Sequence, residues 1–458
     1  MIGALNSYPS MKDAGVPWLG EVPEHWEIQP LGRTLRVKSG DMISPDDERE
    51  IGVPIYGGNG IRGYTFKPNS QGPTILLGRV GTKCGCVHLV DGPFWASEHA
   101  LRVIPQTHVN LEFLALVLEH ADLNRMAIRT AQPLINSTIV RTHRVAIPSL
   151  PEQAAIVRFL NHADRRIRRY IHAKQKLIKL LEEQKQATIH RAVTRGLDPN
   201  VHLKPSGVEW LGDVPEHWEV LPLKFVSAHI QNGATPSTSE AAFYENGTVP
   251  WYGPSSCAHG EFVKAPVRHL AEAAFAAGRA RLIHGPALLV VVIGATAGRM
   301  ALLAHDGATN QQITSHELRT QRVFPRFVLH QLRGAERWLR STASTATIPI
   351  LDGSVVSRLP LAMPSVTEQE SILRYADEDT VDLAKAIDRA SREIALLREY
   401  RTRLIADMVT GKLDVREAAA RLPDEAEEPE PLDEADGMTE DEEESSDDVD
   451  AAPEEAET

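Results

Sequence analysis

An internal repeat constrains the fold of this chain more than any other sequence feature. Residues 16–31 (VPWLGEVPEHWEIQPL) return 192 residues later as residues 208–223 (VEWLGDVPEHWEVLPL), with 12 of 16 positions identical. A second doublet follows each copy, PSLPEQ at 148–153 and PSVTEQ at 364–369. Because both doublets occur in the same order, the chain is predicted to contain two globules of one fold.

Each copy of the second doublet opens a long stretch with helical periodicity, and the stretches end alike in VTRGLD and VTGKLD. Ser149 and Ser365 each precede a Glu by three residues, which fits a capping box, so both helices are predicted to begin at the same point of the repeat. Apolar residues advance by three and four, the pattern of a coiled-coil seam. The predicted seam comprises Ile156, Leu160, Ala163, Ile167, Tyr170, Leu177 and Leu181 in the first helix and Leu383, Ile387, Ala390, Ile394, Leu397, Leu404 and Met408 in the second.

The two helices carry opposite net charges, which favours pairing with each other over self-pairing. Residues 152–195 hold 11 basic and 4 acidic side chains, whereas residues 366–416 hold 9 basic and 11 acidic ones. Because residues 196–365 can bridge the far end, the helices are predicted to run antiparallel, with the second helix returning to the first globule. The alternative is two unrelated amphipathic helices, each packed on its own globule.

These features divide the chain into a first globule (1–151), a first helix (152–195), a second globule (196–365), a second helix (366–416) and an acidic tail (417–458). The globules are predicted to be mixed α and β. Buried strands are predicted at 74–77 and 287–293, and helices at 111–121 and 324–339. The globules agree closely at their entrances and exits and poorly in their middles, which suits surfaces that recognise different things.

The acidic tail accounts for the formal net charge of -13. Residues 422–458 hold 19 Asp and Glu and no Lys or Arg, so residues 1–421 carry a net charge of +6. A segment with such charge and little to bury is predicted to be disordered. The most apolar run, 287–293, is far shorter than the roughly 20 residues of a membrane span, so a soluble cytoplasmic protein is predicted.

Motifs of several enzyme classes are missing from the sequence. It has no GxxxxGK[ST] phosphate loop and no NPP-aromatic or DPP-aromatic element of the kind that holds a flipped base. Cys84, Cys86 and Cys257 are too few for a disulfide framework or a structural zinc site and are interpreted as reduced thiols. His25 and His217 each precede a Trp in the repeat. Their predicted role is structural, with the Trp as a packing anchor and the His capping a turn.

Taken together, the WLGxVPEHWE entrances, the PSxxEQ helix openings, the VTxxLD exits and the GxxxG segments at 81–85 and 294–298 resemble the specificity subunit of type I restriction-modification enzymes. The resemblance covers nearly all of residues 8–416, and the acidic tail is not part of the pattern. It implies an α+β fold with two similar target recognition domains, each reading half of a split DNA sequence. Two long antiparallel coiled-coil helices would join these domains with pseudo-twofold symmetry.

The same resemblance implies a chain that has no catalytic site and binds no cofactor of its own. Its partners would be double-stranded DNA, two modification subunits that methylate adenine with S-adenosylmethionine, and restriction subunits that hydrolyse ATP with Mg²⁺.

Removing the tail after Arg421 is expected to leave the fold intact and to strengthen DNA binding at low salt, because it removes repulsion from the phosphates.

Base edges are read by Arg, Lys, Asn or Gln, whereas phosphate contacts fix only position. Polar loops near the GxxxG segments are therefore the predicted DNA-reading surfaces. The candidate DNA-binding residues are Arg62, Lys67, Arg79 and Lys83 in the first globule and Lys264, Arg268, Arg299 and Gln311 in the second.

Two other functions stay open. The near-neutral charges of the globules, 0 and +1, fit an adaptor whose globules bind proteins. A salt titration of binding to random duplex would distinguish this adaptor, because DNA binding weakens steeply with salt. A self-sufficient restriction or modification enzyme is disfavoured by the missing motifs, and methyl transfer by the purified chain would reveal it.

Overall fold

The computed structural model describes residues 5–129, 132–257, 260–342 and 349–423. Of the acidic tail predicted to be disordered, 417–458, residues 424–458 lie outside the described residues. The chain divides into two compact units, one formed by residues up to 176 together with those from 391 onward, the other by residues 177–390. Each unit contains one globule, the beginning of one long helix and the end of the other.

The strands of the first globule are β1 (Met11–Asp13), β2 (Glu21–Pro23), β3 (Glu27–Pro30), β4 (Leu35–Ser39), β5 (Glu48–Arg49), β6 (Val53–Gly57), β7 (Gly60–Thr65), β8 (Ser70–Gln71), β9 (Thr74–Gly78), β10 (Val87–Val90), β11 (Pro93–Ala96), β12 (Ala100–Pro105) and β13 (Arg144–Ile147). Its helices are α1 (Leu111–His120) and α2 (Ser137–Thr142), followed by the long helix α3 (Leu150–Arg195).

The strands of the second globule are β14 (Leu203–Pro205), β15 (Asp213–Pro215), β16 (Glu219–Pro222), β17 (Ser227–Asn232), β18 (Val249–Tyr252), β19 (Arg268–Leu270), β20 (Ala287–Val291), β21 (Met300–Leu303), β22 (Ala308–Thr309), β23 (Ile313–Leu318) and β24 (Pro360–Met363). Its helices are α4 (Glu272–Ala276), α5 (Pro325–Arg333), α6 (Glu336–Thr342) and α7 (Gly353–Ser357). The long helix α8 (Val366–Val409) and the short helix α9 (Arg416–Ala420) follow.

The four-stranded sheet has the same strand order in both globules, which confirms the two modules of one α+β fold. The first contains the antiparallel sheet β10-β9-β12-β4, and the second contains its counterpart β21-β20-β23-β17. Each globule also has a second sheet, of five strands in the first and three in the second, and each of these contains one parallel pair, β6 with β11 and β18 with β22. The strand that precedes each long helix pairs with the strand after the repeated entrance, β13 with β3 and β24 with β16.

Most of the predicted elements are present, with one break. The strand at 74–77 is β9 and the helix at 111–121 is α1, while the strand predicted at 287–293 ends at Val291. The helix predicted at 324–339 is split into α5 and α6 around Gly334. A Cβ built on Gly334 would lie 2.6 Å from Cε1 of His190, so only glycine permits this approach to α3. Glycine also propagates a helix poorly, which favours the break there.

The long helices run antiparallel in each unit, as predicted. In the first unit Arg401 of α8 donates to Asp164 of α3, and Lys174 Nζ lies 2.6 Å from Glu393 Oε2. The numbers fall along α8 as they rise along α3, so the two directions are opposite. In the second unit a buried cluster joins the C-terminal end of α3 to the N-terminal end of α8.

The predicted seam is buried at eight positions, half-buried at four and exposed at two. The buried positions are Ile156, Leu160, Ala163, Ile167, Ala390, Ile394, Leu404 and Met408. Leu181, Leu383, Ile387 and Leu397 are half-buried. Tyr170 and Leu177 are 55% and 42% exposed, so the predicted burial is wrong there. The start of α3 and the end of α8 pack into the core of the first unit, and the end of α3 and the start of α8 pack into a core cluster of the second.

The two helix starts do not form the predicted capping boxes, because each Glu bonds the globule instead of the Ser backbone. Glu152 is 4% exposed and accepts hydrogen bonds from the Tyr8 hydroxyl at 2.7 Å and from Trp26 Nε1 at 3.0 Å. Nε2 of His25 lies 2.9 Å from its other oxygen. Ser365 keeps half of a box, since its hydroxyl accepts from the Glu368 N–H at 3.3 Å.

The second globule repeats this contact. Trp218 Nε1 donates to Glu368 at 3.0 Å, and His217 Nε2 lies 3.1 Å from the same carboxylate. Trp26 and Trp218 are fully buried, which confirms the predicted packing anchors. The histidines contact the carboxylate of a long helix, so their predicted role in capping a turn is wrong.

The Gln after each Glu fixes the helix to a second element of the globule. Gln153 accepts from the Asn110 N–H at 2.8 Å, and Gln369 accepts from the Phe324 N–H at 2.9 Å. Each carboxamide also donates to the carbonyl of the Pro five residues earlier. Both acceptors thereby satisfy backbone donors at the start of α1 and α5. The PSxxEQ doublet therefore joins each long helix to its globule.

The end of α8 returns to the first globule, as predicted. Gly411, at φ +72°, packs against Pro23 and Trp26 so closely that a Cβ would collide with the proline ring. The Asp414 N–H donates to the Asn6 carbonyl at 2.8 Å. Glycine just after the last helical turn is a common way to end a helix, and here it also makes room for the repeated Trp.

The predicted tail boundary at 417 is wrong, because the folded chain continues to at least Pro423. Helix α9 places Ala419, 2% exposed, in the core of the first unit. Arg158 Nη2 donates to the carbonyls of Leu422 at 2.9 Å and Pro423 at 3.1 Å. A truncation that leaves these contacts intact ends after Pro423 and not after Arg421.

Candidate nucleic-acid interface

The first globule has a cleft beside the predicted GxxxG turn between β9 and β10. Gly81 and Gly85 adopt φ of +97° and +89°, which favours glycine. A Cβ on Gly85 would lie 2.9 Å from the Asn124 backbone nitrogen, so the turn also packs tightly. The cleft has a volume of about 440 Å³ and is bordered by Gly81 and His99. Lys83 is exposed within the same turn.

Two arginines next to this turn are held by one serine. Arg79 Nη1 donates to Ser39 Oγ at 2.8 Å and to the Glu98 carbonyl at 3.2 Å. Arg102 Nη2 donates to the Ser39 carbonyl at 3.1 Å and lies 3.6 Å from the Asp41 carboxylate. Both guanidinium groups therefore have fixed positions at one end of the four-stranded sheet.

Lys67 belongs to the same surface through an aromatic contact. Its Nζ lies 5.2 Å from the Phe66 ring centroid and 6.0 Å from the Trp95 ring centroid, within cation–π range. Trp95 Nε1 donates to the Asp41 carbonyl at 3.1 Å. Because Asp41 also contacts Arg102, a continuous chain of contacts connects Lys67 to Arg79.

Arg62 is less suited to bind DNA than the other three predicted residues of the first globule. Its Nη1 lies 3.0 Å from Glu48 Oε1, with both side chains a little over one third exposed. A guanidinium that already has a carboxylate partner must exchange it for a phosphate or a base, which reduces the net gain.

The segment 235–236 brings together two predicted residues of the second globule. The Thr235 hydroxyl donates to the Gln311 side-chain oxygen. The next carbonyl, that of Pro236, accepts from the Tyr244 hydroxyl at 2.6 Å, and Arg268 lies over the Tyr244 ring at 5.5 Å. Lys264 is exposed in the loop before β19. Three of the four predicted side chains, those of Lys264, Arg268 and Gln311, therefore lie on the surface.

Arg299 is the exception, because this residue is half-buried. Its Nε is buried and makes no hydrogen bond in the described part of the chain. Burial raises the pKa of Cys257 to about 12, and the positive charge of Arg299 opposes this rise. Arg299 immediately precedes the buried strand β21.

Sequence reasoning missed a polar cleft of about 550 Å³ along β17 of the second globule. His229, Gln231, Asn232 and Arg281 contribute to its lining. Arg281 Nη1 donates to the Asn232 carbonyl at 3.0 Å, and the Asn232 side chain accepts from the Thr314 hydroxyl at 2.7 Å. Two polar residues that close β17 are the sequence signal for this cleft. Arg102 was missed as well, and its signal is a lone cation within the apolar run of β12.

Other reactive groups on the chain are buried or isolated. Burial raises the pKa of the Cys84 and Cys86 thiols, which disfavours the reactive thiolate. Within the described ranges no three His, Cys, Asp or Glu side chains are grouped closely enough to hold a metal ion. Among the helices of these ranges, none combines the length and the apolar character needed to cross a membrane.

Comparison with known proteins agrees with the repeated fold. The family model for the type I restriction modification DNA specificity domain matches twice, at residues 23–180 and 215–387. The EcoprrI type I restriction enzyme specificity subunit of Escherichia coli is 32% identical over 139 residues, 29% of this chain and 35% of that protein. The MjaVIII specificity subunit of Methanocaldococcus jannaschii is 26% identical over 242 residues, 49% of this chain and 54% of that protein. The chain thus spans between one third and just over one half of the length of these curated relatives.

A solved structure shows the same fold. A chain from a study of complex assembly and conformational transition in the type I restriction-modification system superimposes with a TM-score of 0.57 at 16% sequence identity. The superposition covers 86% of this chain and 99% of the solved one. Because the family model matches once in each repeat and covers well over half of the residues, this chain belongs to the type I restriction-modification DNA specificity family.

Proposed function

We propose that this chain is the subunit that directs a type I restriction-modification complex to a bipartite DNA sequence, each globule reading one half-site. The observation that supports this most strongly is that the DNA specificity domain model matches once in each of two globules that share the same four-stranded sheet. Each globule is also tied to a long helix through the same Trp–Glu hydrogen bond at 3.0 Å. The chain itself catalyses no reaction in this proposal.

The catalytic partners would be two modification subunits, which supply S-adenosylmethionine and the base pocket, and restriction subunits that use ATP and Mg²⁺. This assignment rests on the family. The helices α3 and α8 would provide the docking surface for these subunits. Such a complex would act in the cytoplasm, where the DNA is.

In the first globule the proposed DNA-reading residues are Lys67, Arg79 and Lys83, with Arg102 added from the structure. A guanidinium held by fixed hydrogen bonds loses little conformational entropy when it binds a base edge, and Arg pairs well with the two acceptors of guanine. In the second globule the proposed residues are Lys264, Arg268, Gln311 and Arg281.

Methylation mapping on the reconstituted complex tests the proposal. The full chain is combined with its modification subunits, and methylated adenines are located across a genome-scale DNA library. We expect two short blocks separated by unread bases, and no methyl transfer by the chain alone with labelled S-adenosylmethionine. Methyl transfer by the pure chain, or methylation without a common sequence, would contradict the proposal. Absence of salt-sensitive binding to random duplex would instead favour the protein adaptor.

A second experiment tests whether the helices set the spacing of the half-sites. Four residues are inserted into α3 near Lys174 and four into α8 near Ala390, which lengthens each helix by about 6 Å. At 3.4 Å per base pair this is about one to two base pairs, so the gap should grow by that amount while the bases of each block stay the same. The matched control is an insertion in only one helix, which puts the apolar faces out of register and should lower stability. An unchanged gap in the double variant would mean that the helices do not set the spacing of the half-sites.

A further inference from the structure

The first unit has a surplus of positive charge on its long helices. Residues 150–176 of α3 hold seven Lys and Arg and two Asp and Glu, and residues 391–409 of α8 hold four and three. Glu152, one of the two acids on α3, is buried and hydrogen-bonded to Trp26 and Tyr8. Each ion pair uses one positive and one negative side chain, so the net positive charge is the same whichever ion pairs form.

Part of this charge faces solvent. We use the name α3 cationic surface for the run Arg158, Arg165, Arg166, Arg168, Arg169 and Lys176. Arg168 has a side chain 66% exposed although it pairs with Asp164, Lys176 is exposed, and the other four are half-buried. On α8, Arg403 is 80% exposed. A surplus of positive charge that reaches solvent attracts polyanions.

The acidic segment begins beside this surface. Arg158, the first member of the run, holds the carbonyls of Leu422 and Pro423, the last two described residues. The following 35 residues contain 19 Asp and Glu and no Lys or Arg. Arg158 and Lys176 are about 27 Å apart along the helix. A 35-residue chain can span up to about 115 Å when fully extended, so the segment can follow the whole surface.

We propose that the acidic segment 424–458 docks on the α3 cationic surface of its own chain. The attachment at Arg158 makes the encounter intramolecular, with an effective concentration in the millimolar range typical of short tethers. Any acidic partner or nucleic acid that binds this part of α3 must first displace the segment. The proposal does not depend on the proposed DNA recognition, because it concerns two parts of one chain.

Zero-length crosslinking of the full chain tests the contact directly. A carbodiimide joins a carboxylate to a lysine amine as an amide, with loss of water, only where the two groups touch. The segment contains no Lys or Arg, so trypsin releases residues 422–458 as one peptide whose crosslinks can be mapped. We expect crosslinks to concentrate on Lys176, the lysine of the α3 cationic surface. Lys38 is the matched control, since it is exposed on the globule of the same unit.

Salt and charge reversal sharpen this test. Raising the salt from about 0.1 M to about 1 M shortens the Debye length from about 10 Å to about 3 Å, so the crosslinks to α3 should fall several-fold. The double substitution R166E/R168E should also reduce the crosslinks to Lys176 several-fold, whereas K38E should leave them unchanged. Circular dichroism checks that the variants fold. The free peptide 424–458, added to a chain that ends at Pro423, should protect Lys176 from acetylation.

Crosslinks spread evenly over exposed lysines, or confined to Lys412 as the lysine nearest in sequence, would overturn the proposal. The same conclusion would follow if R166E/R168E left the pattern unchanged. Because the crosslinking contains no DNA, its failure leaves the proposed DNA recognition untouched. Failure of the methylation mapping would in turn leave the docking of the segment intact.

Discussion

The carboxylate that opens each long helix has different numbers of partners in the two globules. Glu152 contacts Tyr8, His25 and Trp26 in the first, whereas Glu368 contacts only the equivalent His217 and Trp218 among the described residues of the second. The repeat places Asn200 at the position of Tyr8. The Trp–Glu distance is nevertheless 3.0 Å in both. The Trp–Glu bond therefore belongs to the fold, and the tyrosine is an addition specific to one copy.

A second pair of contacts joins a globule helix to a long helix in both units, with the donor and the acceptor exchanged. In the first unit Asn161 of α3 donates to Glu112 of α1 at 3.0 Å. At the equivalent positions of the second unit, Arg326 of α5 donates to Asp377 of α8 at 2.8 Å. The acceptor has moved from the globule to the long helix, so the contact is preserved although neither residue type is.

A third difference concerns volume. In the second unit His190 of the long helix fills the space next to Gly334. The equivalent residues of the first unit are Ala406 on the helix and His120 on the globule, where His120 lies 5.8 Å from the Trp18 ring. The large ring comes from the helix in one unit and from the globule in the other. Packing constrains the total volume at such an interface more strongly than the element that supplies it.

The largest expected effect breaks the contact common to both globules. Trp26→Ala and Trp218→Ala should each cost about 3–5 kcal/mol, because each removes a fully buried ring and its hydrogen bond. Hydrogen exchange of the full chain, followed by mass spectrometry, should show lost protection in the first unit for Trp26→Ala and in the second for Trp218→Ala. The matched Trp→Phe variants retain most of the apolar volume and should cost less. Equal loss of protection in both units from either variant would mean that the two copies do not fold independently.

The exchanged joint should contribute unequally in the two units. Arg326 also binds Glu261, which lies 3.0 Å from the buried His330, and the Arg326 and Glu261 side chains are 32% and 27% exposed. Arg326→Ala should therefore cost about 1–3 kcal/mol, less than for a fully buried pair because solvent screens the charges. Glu112→Ala, the matched change in the first unit, should cost under about 1 kcal/mol. Denaturant unfolding measures both, and a larger cost for Glu112→Ala would reverse this ranking.

The same network predicts a pH dependence confined to the second unit. Burial alone would raise the pKa of Glu261, but hydrogen bonds from His330 and Arg326 outweigh it and hold that pKa well below its usual range. A carboxylate with a depressed pKa stabilises the fold above its unfolded pKa, about 4.3, and loses this contribution as the pH falls. Hydrogen exchange between pH 6 and pH 3 should show protection of the second unit falling more steeply in the wild type than in Glu261→Gln. Parallel curves would contradict the predicted role of Glu261.

Two arginine substitutions compare the globules as readers of DNA. Arg79→Ala should change or weaken recognition of one half-site only, and Arg281→Ala recognition of the other only. If either guanidinium contacts a base, its loss should cost about 1–3 kcal/mol at that position. Methylation mapping with the reconstituted complex provides the measurement, and Arg62→Ala, where Glu48 already pairs with the guanidinium, serves as a control of smaller effect. Changes in both half-sites from one substitution would contradict the assignment of one globule to each half-site.

The smallest expected effect concerns the donor present in one copy only. Tyr8→Phe removes one of three partners of Glu152 and should cost about 1 kcal/mol, since the carboxylate keeps two others. Protection from hydrogen exchange should fall in the first unit and stay unchanged in the second. A cost as large as that of Trp26→Phe would show that the tyrosine is as important to this joint as the tryptophan.

Much of the architecture could be predicted from the sequence. The repeat predicted two globules of one fold, and periodicity predicted both long helices and most of their buried positions. Their opposite charges and the bridging segment 196–365 predicted the antiparallel pairing. These features depend on patterns that recur along the chain. Apolar side chains at helical spacing form one face of a helix, and this face is buried wherever the helix packs against another element. Burial failed at Tyr170 and Leu177, where the sequence pattern continues but the globule cores do not reach.

The partners of polar side chains were decided only by the tertiary structure. A capping box is a local motif, yet the oxygens of Glu152 bond Trp26 and Tyr8, which lie 126 and 144 positions away in the sequence. Arg299 follows a predicted surface turn but is half-buried with a buried Nε, and Arg102 lies in an apolar strand but joins a polar surface. A local pattern constrains the backbone and the face on which a residue lies. Which donor meets which acceptor depends on elements brought together by folding, because buried polar groups take whatever partners the packed neighbours offer.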